Sequence, residues 1–192
     1  MDVDFKQLPP PMALALSASF GSPALWHEDF AWRAASEPLA LCFDARHGRL
    51  LHRPLAEAGS DAVLLRSNEP LDWPRVYERY QQAVHDASDD AGVPADALGD
   101  AVLLDVRRAG VFEQAATILP GATWHDPARV ADWAHELPQE KDVVVYCVYG
   151  HEVGRATALR LRAHGVRARY LIGGIDGWQA AGGAVAPRGE QP

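Results

Sequence analysis

The chain is short of cysteine, of positive charge and of long apolar runs, and each shortage excludes a class of protein. Two cysteines in 192 residues cannot build a disulfide framework, which suits a reducing compartment and predicts a cytoplasmic protein. Lysine and arginine number 18 against 26 aspartates and glutamates, a net charge of −8. Such a balance excludes nucleic acid as the expected partner. No apolar run approaches the roughly 20 residues that span a bilayer, so no membrane partner is expected. The start, Met1-Asp2-Val3-Asp4-Phe5-Lys6, is acidic where a secretory signal is basic. The apolar patch Met12–Phe20 is short and follows Pro9-Pro10-Pro11, so no signal peptide is expected. Neither solenoid repeats nor long low-complexity runs occur. What remains, 48% hydrophobic and 23% charged, is a globular composition with length for one large or two small domains.

Patterning divides the chain unequally into residues 1–91, 92–187 and a tail at 188–192. Residues 1–23 carry four prolines and little periodicity and read as an extended arm. Leu39–Phe43 and Ala62–Leu65 are strand candidates on either side of a polar segment. Pro74 opens a helix to Ala91 with Val76, Tyr80, Ala83 and Ala87 as its apolar stripe, and Asp86–Gly99 reads as an acidic linker. The signal then sharpens. Ala101–Val106, Asp142–Cys147 and Ala168–Ile172 are strands. Asp126-Pro127 starts a helix carrying Val130, Trp133, Ala134 and Leu137. Val153–His164 is a helix closed by Gly165, and Ile175–Ala181 a last short one. Alternating strands and helices predict an α/β domain, a parallel sheet with helices on both faces, preceded by a less regular N-terminal extension.

The most informative stretch is Val143-Val144-Val145-Tyr146-Cys147-Val148-Tyr149-Gly150-His151-Glu152-Val153-Gly154-Arg155. An apolar β-branched run delivers Cys147 to a strand's carboxyl end, a tight loop follows, and a helix starts. Ligands of open parallel sheets sit beyond such strand ends. Inward N–H groups and the helix dipole favour negative charge there, so Cys147 is expected to ionise easily and act as a nucleophile. Gly150 allows the backbone conformations such a loop needs.

Four segments together resemble the rhodanese sulfurtransferase family: Leu103-Leu104-Asp105-Val106-Arg107, Leu119-Pro120-Gly121-Ala122, Tyr146-Cys147-x-x-Gly150, and Leu171-x-Gly173-Gly174-x-x-Gly177-Trp178. The resemblance covers about half the chain, and implies a single catalytic rhodanese domain that needs no cofactor or metal. Cys147 would take a sulfane sulfur from a small-molecule donor, hold it as a persulfide, and pass it to cyanide, a thiol or a protein cysteine. The loop Val148, Tyr149, Gly150, His151, Glu152 and Val153 would surround that sulfur, with Asp105, Arg107 and Arg155 in support. Thiosulfate-using members often carry Arg or Lys in this loop. Here Glu152 is expected to repel a dianion and His151, when protonated, to attract one, which leaves thiosulfate, a low-molecular-weight persulfide and a protein donor all open. Arg107 reads as a carboxylate partner before an anion contact, Arg155 as a solvated helix residue or an anion contact, and Trp178 as core.

Other chemistries fit less well. A cysteine phosphatase or arsenate reductase needs arginine six residues after the cysteine, to grip an oxyanion bidentately, and that position is Val153. His151-Glu152 lacks the second histidine of a zinc protease, since Arg155 stands there. Cys42, His47 and His52 have loosely ligand-like spacing, but Cys42 lies in an apolar run where a thiol behaves as a small hydrophobe. A non-catalytic interaction module remains open, because residues 1–91 read as an accessory region or as a degenerate rhodanese half.

Overall fold

The computed structural model describes residues 3–59 and 61–189; Met1, Asp2 and the last three residues of the predicted tail at 188–192 lie outside the described residues. The chain forms two compact units that divide between Ala87 and Ser88.

The first unit contains α1 (Pro10–Phe20), α2 (Pro23–Ala34), β1 (Leu39–Asp44), β2 (Arg49–Pro54), β3 (Ala62–Arg66) and α3 (Trp73–Ala87). The prolines expected to extend the chain instead start two helices. Pro10 and Pro11 occupy the first turn of α1, and Pro23 opens α2 behind Ser22, whose Oγ accepts from Leu25 N at 3.1 Å. A first turn leaves its N–H groups unbonded, so proline loses nothing there. The polar segment after Phe43 also differs from expectation: it turns back as β2, giving an antiparallel sheet in the order β2-β1-β3. This pairing differs from that of the parallel five-stranded sheet of the second unit. Leu41 and Phe43 face one side, where Phe43 meets Tyr80 of α3 edge-on at 5.7 Å. Cys42 faces the other side, among Ala40, Ala58, Leu51 and Val63. His52 pairs with Leu41 in register and bonds Asp29, while His47 bonds Asp44. Cys42 and His52 therefore lie on opposite faces of the sheet. The helix predicted to reach Ala91 stops at Ala87.

The second unit contains β4 (Gly92–Val93), β5 (Val102–Asp105), α4 (Ala109–Glu113), β6 (Thr117–Ile118), β7 (Thr123–Trp124), α5 (Val130–Trp133), β8 (Val143–Tyr146), α6 (Glu152–Ala163), β9 (Ala168–Leu171), α7 (Gly174–Ala180) and β10 (Ala186–Pro187). Five strands form a parallel sheet in the order β4-β9-β8-β5-β7, flanked by helices as predicted. Its edge strand β4 lies within the stretch read as a linker; two residues are too short to show a strand's alternation. The central strand β8 is buried throughout, and its valines serve two cores. Val143 and Val145 pack with Leu104, Val130, Trp133 and Leu161, whereas Val144 and Tyr146 pack with Leu119, Leu171 and Ile175. That division follows from the two-residue period of a strand. Trp178 packs against the second cluster and donates to Ala184 O at 2.7 Å. The helix predicted after Asp126 is broken: α5 has single tight turns on either side, Pro127–Arg129 and Ala134–Glu136, yet Val130, Trp133, Ala134 and Leu137 remain buried. Among the described residues no helix is long and apolar enough to cross a membrane.

One ion pair ties the carboxyl end of β5 into the fold. Asp105 is fully buried and accepts from Arg107 N at 3.0 Å and Arg107 Nε at 2.9 Å, while Arg107 Nη2 donates to Thr117 O at 2.9 Å. Removing one member strands the other charge out of water. Arg107→Ala is expected to cost about 3 kcal/mol of stability, measured as a fall in the urea midpoint at unchanged slope.

Candidate active site

Cys147 stands one residue beyond β8, at the carboxyl edge of the sheet, and is only 6% exposed. Four backbone N–H groups donate to its Sγ, those of Gly154, Gly150, His151 and Tyr149. Three come from the loop and the fourth from the first turn of α6. The first intrahelical bond of α6 runs from Arg155 N to His151 O at 3.1 Å, so the Gly154 N–H precedes the ladder and is available to the sulfur. Gly154 lies outside the predicted loop. It has a second merit: a Cβ there would sit 3.4 Å from Sγ.

The loop is held from behind by α7. Ile175 N donates to Cys147 O and Asp176 N to Val148 O, each at 3.0 Å. Two loop carbonyls are thereby satisfied, and that of Val148 belongs to the peptide unit whose N–H, on Tyr149, points at the sulfur. At Gly150 the backbone has φ +70°, and a Cβ would come within 2.7 Å of Leu171 O and Gly173 N. Only glycine fits that approach. The Gly173-Gly174 pair was legible as a turn, but its role in bringing α7 against the loop was not.

Burial pushes the Cys147 thiol above its ordinary range, and the four N–H groups pull it back only in part. This corrects the expectation of easy ionisation, which counted the helix start but not the loss of water around the sulfur. Cys42 is raised as well, to about 11, by burial and by Asp61, consistent with a core residue of the first unit.

The side chains around the loop divide into exposed and committed groups. Tyr149 is 57% exposed and His151 is exposed, their rings 5.8 Å apart. Glu152, expected to confront the donor, is 7% exposed; as the first residue of α6 its side chain is withdrawn from solvent. Val153 O accepts from Thr157 Oγ1 inside α6. Arg107 is bound to Asp105 as above. Arg155, expected in solvent or on an anion, donates through Nε to Gly150 O at 3.1 Å and through Nη1 to Ser88 Oγ at 3.2 Å. Among the described residues no group of His, Cys, Asp and Glu is arranged to hold a metal ion.

A raised thiol pKa has a kinetic signature, because only the thiolate is alkylated. In a Cys42→Ala chain the iodoacetamide rate should climb with pH to a midpoint above the ~8.5 of a free cysteine. Below that midpoint Cys147 holds less thiolate than a free cysteine and should react more slowly. A rate profile measured from neutral to alkaline pH checks both.

Residues 88–181 match the family model for the rhodanese-like domain. Solved structures resemble about half of the chain. A rhodanese-related protein from Thermoplasma volcanium is 20% identical over 50% of this chain and 96% of its own, with a TM-score of 0.43. A rhodanese-like domain protein from Staphylococcus aureus is 20% identical over 45% of this chain and 89% of its own, at 0.41. A Rhodopseudomonas palustris protein of unknown function, described as a possible tyrosine phosphatase, is 21% identical over 55% of this chain and 92% of its own, at 0.48. No curated protein matches the chain. With its parallel sheet and its cysteine loop after β8, the segment 88–181 belongs to the rhodanese-like domain family.

Proposed function

We propose that this protein is a sulfurtransferase whose Cys147 carries a sulfane sulfur as a persulfide. The observation that supports this reading is the set of N–H groups from Tyr149, Gly150, His151 and Gly154 converging on Sγ. Sulfur transfer moves negative charge between two neighbouring sulfur atoms, and donors already in place need not reorganise as it moves. The Cys147 thiolate attacks the outer sulfur of a donor R–S–SH. The new S–S bond forms as the old one breaks, and R–S⁻ departs, taking up the proton that Cys147 gave. In the second half an acceptor thiolate or cyanide attacks the outer sulfur, and Cys147 leaves as thiolate. Each half conserves oxidation state overall, so no external oxidant or reductant enters.

The side chains favour a thiol-derived persulfide over thiosulfate as donor. A sulfonate dianion is held best by a paired cation, and Arg107 and Arg155 are both engaged with protein groups. Glu152, buried at the start of α6, supplies no attraction for an anion. Phosphatase chemistry has no support in the loop, where Val153 occupies the arginine position.

Incubation with glutathione persulfide should add the mass of one sulfur atom to the intact protein, removable by cyanide, and Cys147→Ser should abolish it. A chain that takes up no cyanide-labile sulfur from any donor, or retains it without Cys147, is not this enzyme. A second variant separates chemistry from folding. Gly154→Ala should leave the domain folded, because the helix-propensity gain of about 0.5–1 kcal/mol opposes the tight contact of the new Cβ, 3.4 Å from Sγ. Its methyl would occupy the space beside Sγ, and persulfide loading should fall about tenfold or more.

A further inference from the structure

We propose that Arg155 is a positioning residue that holds the Gly150–His151 peptide unit with its N–H aimed at Cys147 Sγ and strengthens that N–H as a donor. This deepens the sulfurtransferase reading and rests on it for any effect on turnover, although the effect on the thiol stands without it.

The geometry is local and closed. A trans peptide is planar, so its C=O and N–H point in opposite directions. In the Gly150–His151 unit the oxygen accepts from Arg155 Nε at 3.1 Å, and the nitrogen of the same unit donates to Cys147 Sγ. Directing the carbonyl toward Arg155 therefore directs the N–H at the sulfur. The bond is charge-assisted, which makes it stronger than a neutral one, and bonds in series polarise one another. A guanidinium drawing density through the carbonyl leaves the His151 N–H more positive, where it meets the sulfur.

Arg155 is itself held on several sides. Its backbone N–H donates to His151 O at 3.1 Å, so the residue grips two consecutive loop carbonyls, one with main chain and one with side chain. Nη1 donates to Ser88 Oγ at 3.2 Å, and the guanidinium carbon lies 4.3 Å from the centre of the Tyr170 ring on β9. Two in-plane donors and a stacked face are what a planar fork offers and a lysine ammonium does not. Without this clamp, Gly150, at φ +70°, has the freedom to let the peptide unit turn.

The test is the pH profile of Cys147 alkylation in the Cys42→Ala background, which requires no sulfur donor. The charged and titratable groups on neighbouring elements are the same in every variant: Asp105 at the end of β5 and Arg107 beyond it, Asp176 on α7, His151 and Glu152 at the start of α6, and Tyr170 on β9. Arg155→Gln should raise the midpoint by about one pH unit, which is about tenfold less thiolate at neutral pH. Arg155→Lys should recover part of the difference, and Ser88→Ala should produce a smaller rise. Arg169→Ala is the control, since Arg169 Nη2 donates to Gly92 O at 2.7 Å, a carbonyl outside the loop; its midpoint should match that of the parent. Folded Arg155→Gln with the parent midpoint, or an equal rise in Arg169→Ala, overturns the proposal. Should Arg155→Gln fail to fold, Arg155→Lys and Ser88→Ala decide, and parent midpoints in both overturn it. Persulfide loading of the parent is measured alongside. Its absence with the alkylation order intact removes the sulfurtransferase reading and leaves the role of Arg155 standing.

Discussion

Backbone N–H groups must converge on a sulfur that is itself out of water, and the rest of the second unit is arranged around that requirement. Inward N–H groups imply outward carbonyls, and each outward carbonyl must find a donor. Cys147 O and Val148 O find theirs at the start of α7, and Gly150 O finds its own in Arg155. The strand order places β9 beside β8, so the Gly173-Gly174 turn after β9 arrives where the loop needs it. Glycine at 150 and 154 gives room where a Cβ would meet backbone on one side and Sγ on the other.

Two opposed effects then act on Cys147. Loss of water disfavours the thiolate, and the converging N–H groups favour it; the first is the larger, so the resting group is raised. In the proposed sulfur transfer, this suits a site that stabilises charge appearing during the reaction rather than charge that is always present. It also explains why the neighbouring arginines are spent on protein atoms. Arg107 neutralises buried Asp105, and Arg155 braces the loop, so the surroundings of the sulfur are set by backbone dipoles and not by a side-chain cation.

Legibility followed the strength of local patterning. Val143-Val144-Val145 at a strand end, the helix after His151 with Gly165 behind it, and the Asp126-Pro127 start were all readable, because each rests on short-range steric or capping preferences. The N-terminal prolines were misread, since proline is compatible both with extended chain and with a helix's first turn. Arg-Leu-Leu-His-Arg-Pro concealed β2, as its charged residues obscure the single buried leucine, Leu50. β4 is too short to carry a pattern, and its strand character comes from pairing with β9.

By itself the sequence determined the parallel α/β character of the second half, the position of Cys147 at a strand end, and the family to which residues 88–181 belong. Those properties depend on periodicity and on contiguous motifs. The tertiary structure alone decided that Glu152 is withdrawn, that Gly154 completes the set of donors, and that Arg155 reaches Gly150 O and Ser88. It also decided the direction of the Cys147 shift. Burial and the aim of individual N–H groups depend on residues brought together from β8, α6, α7 and β9, and no local pattern records which way a peptide plane faces.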